Sequence, residues 1–428
     1  MVTTPPTTTS ETVRATTLLK KAIGIKYTLF ERVEFARNGL VCDVRPTTTV
    51  PRCGGCGRKV RQLYDRREPR LWRHLDVAGM KLHLRYALRR VDCRRCGVTS
   101  ELVPWAVPGS WFTEAFEQTV TYLAQAASKT VVASMMRVAW ATVGTIVQRV
   151  VERMLPGDRR EGLTAIGVDE LSYRKHHEYV TIVTDHVSGR VVWARPGKNA
   201  DTLRLFFEEL GKERCAKLSA VTVDMSRAYI TAIKESAPNA TLVFDRFHVQ
   251  RLVHDALDAV RRAEVRELDE PDERQALKKS RFALQKNPWN LTDIERTKLV
   301  EVQRANRRLY RGYLLKETLA AILDRRQPNV ARNKLIEWVS WAKHSQLEPF
   351  AKAARTILGH LDGIVAYVAT GLSNGRAEGT NGKIRTITRR SFGLHSARSL
   401  IAMIFLCCSG LTLRPAQTTL ALPCTHPT

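Results

Sequence analysis

Apolar and polar positions change period several times along this chain, and each change predicts a different element. From Lys81 to Arg89 they alternate, with Leu82, Leu84, Tyr86 and Leu88 on one face of a strand and Lys81, His83, Arg85 and Arg89 on the other. A hairpin turning near Ala78-Gly79 precedes that strand. From about Thr113 the period becomes helical, through FTEAFEQTVTYLAQAAS, TVVASMMRV and, after a break at Ala139-Trp140, ATVGTIVQRVVERML. Two short helices across a tight turn, the second amphipathic, predict a helix-turn-helix. Leu155-Pro-Gly-Asp158 ends it.

Strand patterns dominate the next segment: LTAIGVD (163–169), EYVTIVTD (178–185), RVVWARPG (190–197), AVTVD (220–224) and TLVFD (241–245). Helical stretches, DTLRLFFEEL and another near Ala228 to Glu235, separate the later ones. Three strands on short connections, followed by helix, strand, helix and strand, predict a mixed α/β sheet. From Phe247 to about Gly371 the chain is helical and charge-rich, too long for a loop and therefore a helical insertion. The Thr/Pro-rich start reads as a disordered arm, Ile25 to Val44 has no clear period, and there is no internal repeat.

Charge narrows the partners. The 428 residues carry 69 Lys+Arg against 42 Asp+Glu, a net charge of +27, so the chain seeks polyanions. With 44% hydrophobic and 26% charged residues it is neither disordered in bulk nor membrane-spanning. The most apolar run, Leu400 to Cys408, falls well short of the roughly 20 residues a membrane helix needs. The N-terminus lacks a basic start followed by an apolar stretch, which points to the cytoplasm.

Four of the nine cysteines form two Cys-x-x-Cys pairs, Cys53/Cys56 and Cys93/Cys96, each followed by glycine. In a reducing compartment such knuckles suggest metal rather than disulfides, because one turn then presents two thiolates to one zinc ion. The gap between the pairs is long for a zinc ribbon, and the hairpin at Ala78-Gly79 would bring them together. A redox pair or plain buried cysteines are the other readings. His74 and His83 are not needed as ligands, since two complete pairs leave no vacancy.

Lys and Arg are dense from Arg58 to Arg95, including Arg85 and Arg89, and the helix-turn-helix carries Lys129, Arg137, Arg149 and Arg153. Cations that neutralise DNA phosphates bind without sequence preference, while a helix in the major groove reads bases. An ordinary helical pair with a solvated basic face is the competing reading.

Asp169 ends the first strand and Asp224 the fourth. On neighbouring parallel strands their positions would lie about 4.8 Å apart. Two magnesium ions in a phosphodiester-cleaving site sit about 3.5–4 Å apart, so such carboxylates can hold both, with manganese as a substitute. Glu378, in SNGRAEGTNGKIR, is the candidate third ligand: it starts a helix rich in DNA-contacting types, Lys383, Arg385, Arg389 and Arg390. Glu301, Glu317, Glu337 and Glu348 compete for that role, but Glu378 follows the insertion, where the chain can return to the sheet. An Asp at a strand end can also be a turn residue, as Asp185 before His-Val-Ser-Gly is expected to be. Alternation sets Glu170 on the strand face opposite Asp169.

The stretches VDE (168–170), VDMSRAY (223–229), FDRFHV (244–249), YLLKETL (313–319) and SNGRAEGTNGKIR (373–385) resemble the DDE transposases of bacterial insertion sequences, ISL-three family. WRHLDVAG (72–79) and RRVDCRRCG (89–97) are similar to that family's N-terminal zinc finger. The resemblance covers roughly residues 50 to 410. It departs in the first knuckle, Cys-Gly-Gly-Cys, where a proline after the first Cys is expected.

The resemblance implies a multi-domain α/β chain: arm 1–24, zinc-binding DNA-binding domain 25–110, helix-turn-helix 111–157, ribonuclease-H-like core 158–265 and 372–414, helical insertion 266–371 and tail 415–428. It carries catalysis onto Asp169, Asp224 and Glu378, with Asp245 and His248 beside the site unless Asp245 simply caps the next helix and His248 packs. The implied activity is binding of an element's terminal inverted repeats, metal-dependent cleavage and strand transfer on double-stranded DNA, by a homodimer or larger assembly associated with the nucleoid. A DNA-binding protein or repressor derived from a transposase is the alternative, and a structure-specific nuclease on the same fold a weaker one.

Overall fold

A computed structural model describes residues 17, 20, 23–37, 39–155, 157–174, 178–372, 375–390 and 396–414. The tail 415–428 and most of the arm 1–24 lie outside the described residues. The chain forms two compact units, 1–155 with 411–428 and 156–410.

The first unit begins with strands the sequence did not announce. β1 (Thr28–Ala36) and β2 (Gly39–Pro46) form an antiparallel pair, and β2 runs parallel to β5 (Met80–Tyr86), giving the sheet order β1-β2-β5-β4 with β4 (Arg70–Val77). β1 is an edge strand with few fully buried positions, and Phe35 is 82% exposed, so its alternation carries little contrast. The alternation in β5 holds: Leu82, Leu84 and Tyr86 join Leu88, Trp72 and Trp105 in one core. Trp105 meets Trp72 and Tyr86 edge-on, with ring centroids 5.7 and 5.5 Å apart.

The expected hairpin at Ala78-Gly79 joins β4 to β5, but it does not unite the knuckles. That task falls to a separate sheet, order β3-β6-β7, made of β3 (Leu63–Arg66), β6 (Arg89–Cys93) and β7 (Gly97–Ser100). The chain leaves β5 at Ala87–Leu88 instead of running on to Arg89, so one predicted strand becomes two.

Three helices follow: α1 (Glu114–Ala126), capped by Thr113, α2 (Lys129–Met136), capped by Ser128, and α3 (Trp140–Met154). α2 ends on Arg137 in the left-handed conformation, and α2 and α3 bend by 100° at the break, as a helix-turn-helix requires. Val132, Val143, Ile146, Val147 and Val150 supply the buried faces.

The second unit carries a five-stranded mixed sheet of order β10-β9-β8-β11-β12. β8 (Ala165–Arg174), β9 (Glu178–Asp185) and β10 (Val191–Pro196) are antiparallel, whereas β11 (Ala220–Val223) and β12 (Thr241–Phe244) run parallel to β8. β8 outlasts its expected end at Asp169 because β9 continues to pair with it. Asp185 turns the β9–β10 connection, accepting from Val187 N at 3.1 Å and Ser188 N at 2.9 Å. One face packs Ile166, Val168, Val221 and Val223 against α4 (Ala200–Leu210) and, after the short α5 (Lys212–Cys215), α6 (Arg227–Ser236).

The helical segment runs through α7 (Arg246–Glu267), α8 (Pro271–Lys279), α9 (Arg281–Gln285), α10 (Asp293–Ala305), α11 (Arg307–Leu323), α12 (Pro328–His344), α13 (Glu348–Gly359) and α14 (Leu361–Thr370). α14 already lies against β12, where Gly363 admits the Phe244 ring: a Cβ there would come within 2.4 Å of it. α15 (Gly375–Arg390) then packs beside β8, and α16 (Ala397–Cys408) against β10. Among the described residues no single helix is long and apolar enough to cross a membrane.

Candidate functional site

The four knuckle cysteines converge, with their sulfurs all within 4.8 Å of one another. Cys93 ends β6 and Cys96 precedes β7, so the second knuckle is the turn of that hairpin. Cys53 is bridged to Glu101, just beyond β7. Cys56 and Cys93 sulfurs lie 3.7 Å apart, close to the edge of about 3.8 Å that a tetrahedron with Zn–S bonds near 2.3 Å requires. Backbone N–H groups of Arg95 and Cys96 point at Cys93 and hold its thiol down, at about 7, favouring the thiolate that binds metal.

Glycine in place of the expected proline has a local reason. Gly54 N donates to Ser100 O at 3.0 Å, which proline cannot do, and any Cβ at Gly54 would meet that oxygen at 2.4 Å. His74 is buried 2.8 Å from Thr113 Oγ1 and takes no part; burial, then the Arg73 charge, lower its pKa to about 4.

Freshly purified, reduced protein should therefore carry about one zinc per chain. Cys53→Ser or Cys93→Ser should abolish that zinc and unfold the β3-β6-β7 sheet, since binding to structural sites contributes roughly 10–16 kcal/mol in small zinc modules. Metal analysis with circular dichroism checks this, and zinc-free, folded wild-type protein would refute it.

The cations of the first unit expected to contact DNA each have a partner within the unit. Arg85 donates from Nε and Nη2 to Asp43 at 2.6 and 3.0 Å and from Nη1 to Glu34 at 2.8 Å. Arg89 is buried and clasps buried Glu101 through Nε and Nη2, with Tyr86 OH donating to the same carboxylate. Removing one partner of such a buried pair costs about 3–5 kcal/mol, so Arg89 is a structural residue. Lys129 is buried over the Trp140 ring, 4.5 Å from its centroid. Arg137 pairs with Asp76 and donates to Gly79 O, while Arg149 and Arg153 converge on the fully buried Glu117. On α15, Lys383, Arg385 and Arg389 are exposed and Arg390 is half-buried.

In the second unit, pairing of Gly167 with Thr222 and of Thr222 with Val243 fixes the relative heights of three parallel strands. Asp169, Asp224 and Asp245 each stand two residues further on, so three aspartates occupy one level, Asp224 and Asp245 just past the carboxyl ends of β11 and β12 and Asp169 within β8, beyond its pairing with β11. In open α/β sheets ligands bind at that edge. Asp169 Oδ1 accepts from Glu170 N at 2.7 Å and Asp224 Oδ1 from Ser226 N at 3.0 Å. Asp245 is buried and caps α7, accepting from Phe247 N at 3.5 Å; His248, one turn in, lies edge-on to Phe247. Glu378 is in the first turn of α15, and its side chain lies outside the described residues.

Sequence spacing missed Glu170. It pairs across to Thr181, as alternation requires, and it bonds with the buried Tyr229, whose hydroxyl lies 2.8 Å from Thr181 Oγ1. Yet burial first, and next the charge of Asp224, raise its pKa above the usual carboxylate range. Asp224 leaves the strand pattern at the end of β11, which lets it influence a residue on the far face. Only the three-dimensional crossover reveals that coupling. Among the described residues the four cysteines are the one group of three or more metal-ligating side chains with atoms mutually within 4.8 Å.

Comparison with known proteins adds independent findings. A family model described as transposase matches residues 166–404, one described as the helix-turn-helix domain of transposase family ISL3 matches 101–151, and one described as the zinc-finger of transposase IS204/IS1001/IS1096/IS1165 matches 49–96. The chain is 38% identical to the transposase for insertion sequence element IS1557 of Mycobacterium tuberculosis, over 93% of this chain and 96% of that one. It is 30% identical to the transposase for insertion sequence element IS1001 of Bordetella parapertussis, over 85% of this chain and 91% of that one.

Proposed function

Because the chain belongs to the ISL3 family of insertion-sequence transposases, we propose that it binds the terminal inverted repeats of its own element and catalyses DNA cleavage and strand transfer there. The observation that carries this reading is the level row of Asp169, Asp224 and Asp245 on three adjacent parallel strands, where β11 and β12 end and β8 continues. We read the second unit as a ribonuclease-H-like core, 158–265 and 372–414, interrupted by the helical insertion 266–371. The zinc-binding domain 25–110 and the helix-turn-helix 111–157 read the ends.

Asp169, Asp224 and Glu378 are the proposed metal ligands: hard carboxylate oxygens suit magnesium or manganese, and Asp169 and Asp224 supply two of them on adjacent strands. Bound as a pair, such ions would activate the attacking oxygen and stabilise the leaving one. Backbone N–H groups of Glu170 and Ser226 hold the two aspartates in place. Asp245 positions the start of α7 and with it His248, beside the row. Lys383, Arg385, Arg389 and Arg390 on α15 steer the scissile strand toward it. Two ends must be joined, so a homodimer or larger assembly forms on DNA.

The test is the full chain incubated with a duplex carrying its element's end. Nicking at the element boundary should require magnesium or manganese and vanish in EDTA. Boundary cleavage that persists in EDTA, or none in either metal by protein that binds the end, would refute the catalytic part.

A further inference from the structure

Several cations of the first unit are matched to acids: Arg45 to Glu31, Arg85 to Asp43 and Glu34, Arg89 to Glu101, Arg149 and Arg153 to Glu117. Arg58, Lys59, Arg61, Arg94 and Arg95 are different. All five are exposed, they line one cleft at the zinc knuckles, and none has an acidic side chain within 4.0 Å among the described residues.

The scaffold beneath that cleft is fixed. Cys53 N donates to Arg58 O at 2.8 Å and Asp92 N to Gln62 O at 3.1 Å, which ties 58–62 alongside β6. Arg94 and Arg95 are the central pair of the second knuckle. Its amides turn inward to the sulfur of Cys93, and the two exposed side chains face solvent.

Charge compensation of the metal site does not account for the cluster. The five cations outnumber the one carboxylate of the cleft, Asp92, by four. A zinc tetrathiolate carries two negative charges, so two positive charges remain unmatched on a rigid surface. Guanidinium forks held in this way suit phosphate oxygens. The first residues of α3 carry no charge of their own by contrast, with Trp140, Ala141 and Thr145 exposed and Lys129 set over the Trp140 ring, a surface fit for base edges.

We propose that this zinc-module cleft, walled by Arg58, Lys59 and Arg61 on one side and Arg94 and Arg95 on the other, is the docking surface for the duplex phosphate backbone. The inference rests on the end-binding reading above and deepens it: sequence-independent affinity comes from the zinc module, and α3 supplies the reading of bases.

The experiment uses the full chain, with fluorescence anisotropy against a terminal-repeat duplex and a scrambled duplex over a range of salt. Each lost phosphate contact lowers the slope of log affinity against log salt by about 0.9. Arg94→Ala/Arg95→Ala should therefore reduce the slope by about 1.8 and Arg58→Ala/Lys59→Ala/Arg61→Ala by about 2.7, if every side chain meets one phosphate. Both duplexes should lose affinity by the same factor, with one zinc per chain retained. Unchanged slopes in zinc-loaded variants overturn the proposal, and so does loss of zinc from both variants, which would assign the cations to the thiolates. Failure of the wild-type chain to bind either duplex would instead sink the end-binding reading, and this surface with it.

Discussion

Asp224→Asn is expected to reduce metal-dependent cleavage at the element boundary by on the order of a thousandfold or more, equivalent to roughly 4 kcal/mol of transition-state stabilisation. Asp169→Asn should do the same. The substitution keeps shape and the acceptor oxygen, so the amide oxygen of the new side chain can still receive the Ser226 N–H that Asp224 accepts at 3.0 Å, and the fold survives. What disappears is the negative charge that a hard cation needs. A second readout separates this from misfolding. Asp224 is the next cause after burial of the raised Glu170 pKa, so its neutralisation should bring the Glu170 carboxyl down toward its ordinary range. A carboxylate whose folded pKa lies above its unfolded value costs stability once pH exceeds the folded value. In EDTA at about pH 8 the Asp224→Asn variant should therefore melt no lower than wild type, and higher where the repulsion is fully developed. Boundary cleavage near the wild-type rate by either variant would remove that aspartate from the site.

Short-range patterns carried most of the sheet and little of the electrostatics. The faces of β5 follow from period-two alternation, and β8 to β12 were announced as short apolar runs, since β9, β10 and β11 are buried on successive residues. β1 escaped because a half-exposed edge strand mixes Glu31, Arg32 and Glu34 with its apolar residues, and β2 because Leu40, Val41 and Cys42 are buried in succession, without period-two contrast. The internal partners of the first unit's cations were hidden for a different reason. A basic residue is available to phosphate only if no acid claims it, and the claimants are distant in sequence: Asp43 is 42 positions from Arg85, and Glu117 is 36 from Arg153. Burying Glu117 makes that claim strong. Spacing cannot reveal such pairings, whereas knuckle geometry, fixed by neighbouring residues, was readable from Cys-x-x-Cys alone.

The same distinction separates two glutamates that motif reading left in competition. Glu317 lies on α11 with its Oε1 2.5 Å from Lys316 Nζ. Lys316 is buried and also donates to Leu284 O at 2.9 Å and Lys286 O at 3.1 Å, holding the end of α9 to α11. Burial lowers the Lys316 pKa and Glu317 opposes that shift, so Glu317 has a structural partner that needs its charge. Glu378 stands instead on α15, which packs beside β8, the strand of Asp169, and bears exposed Lys383, Arg385 and Arg389. Glu317→Gln should lower stability by on the order of 1–3 kcal/mol, by leaving a buried ammonium short of a partner, and retain metal-dependent cleavage at temperatures where the protein is folded. Glu378→Gln should leave stability and end binding within a few-fold of wild type and reduce cleavage and strand transfer to background, on the order of the loss expected for Asp224→Asn. Thermal denaturation and a boundary-nicking assay on both variants decide the matter. Should folded Glu378→Gln protein nick at the wild-type rate, the third ligand is another residue, and Glu170, already coupled to Asp224, becomes the first to test.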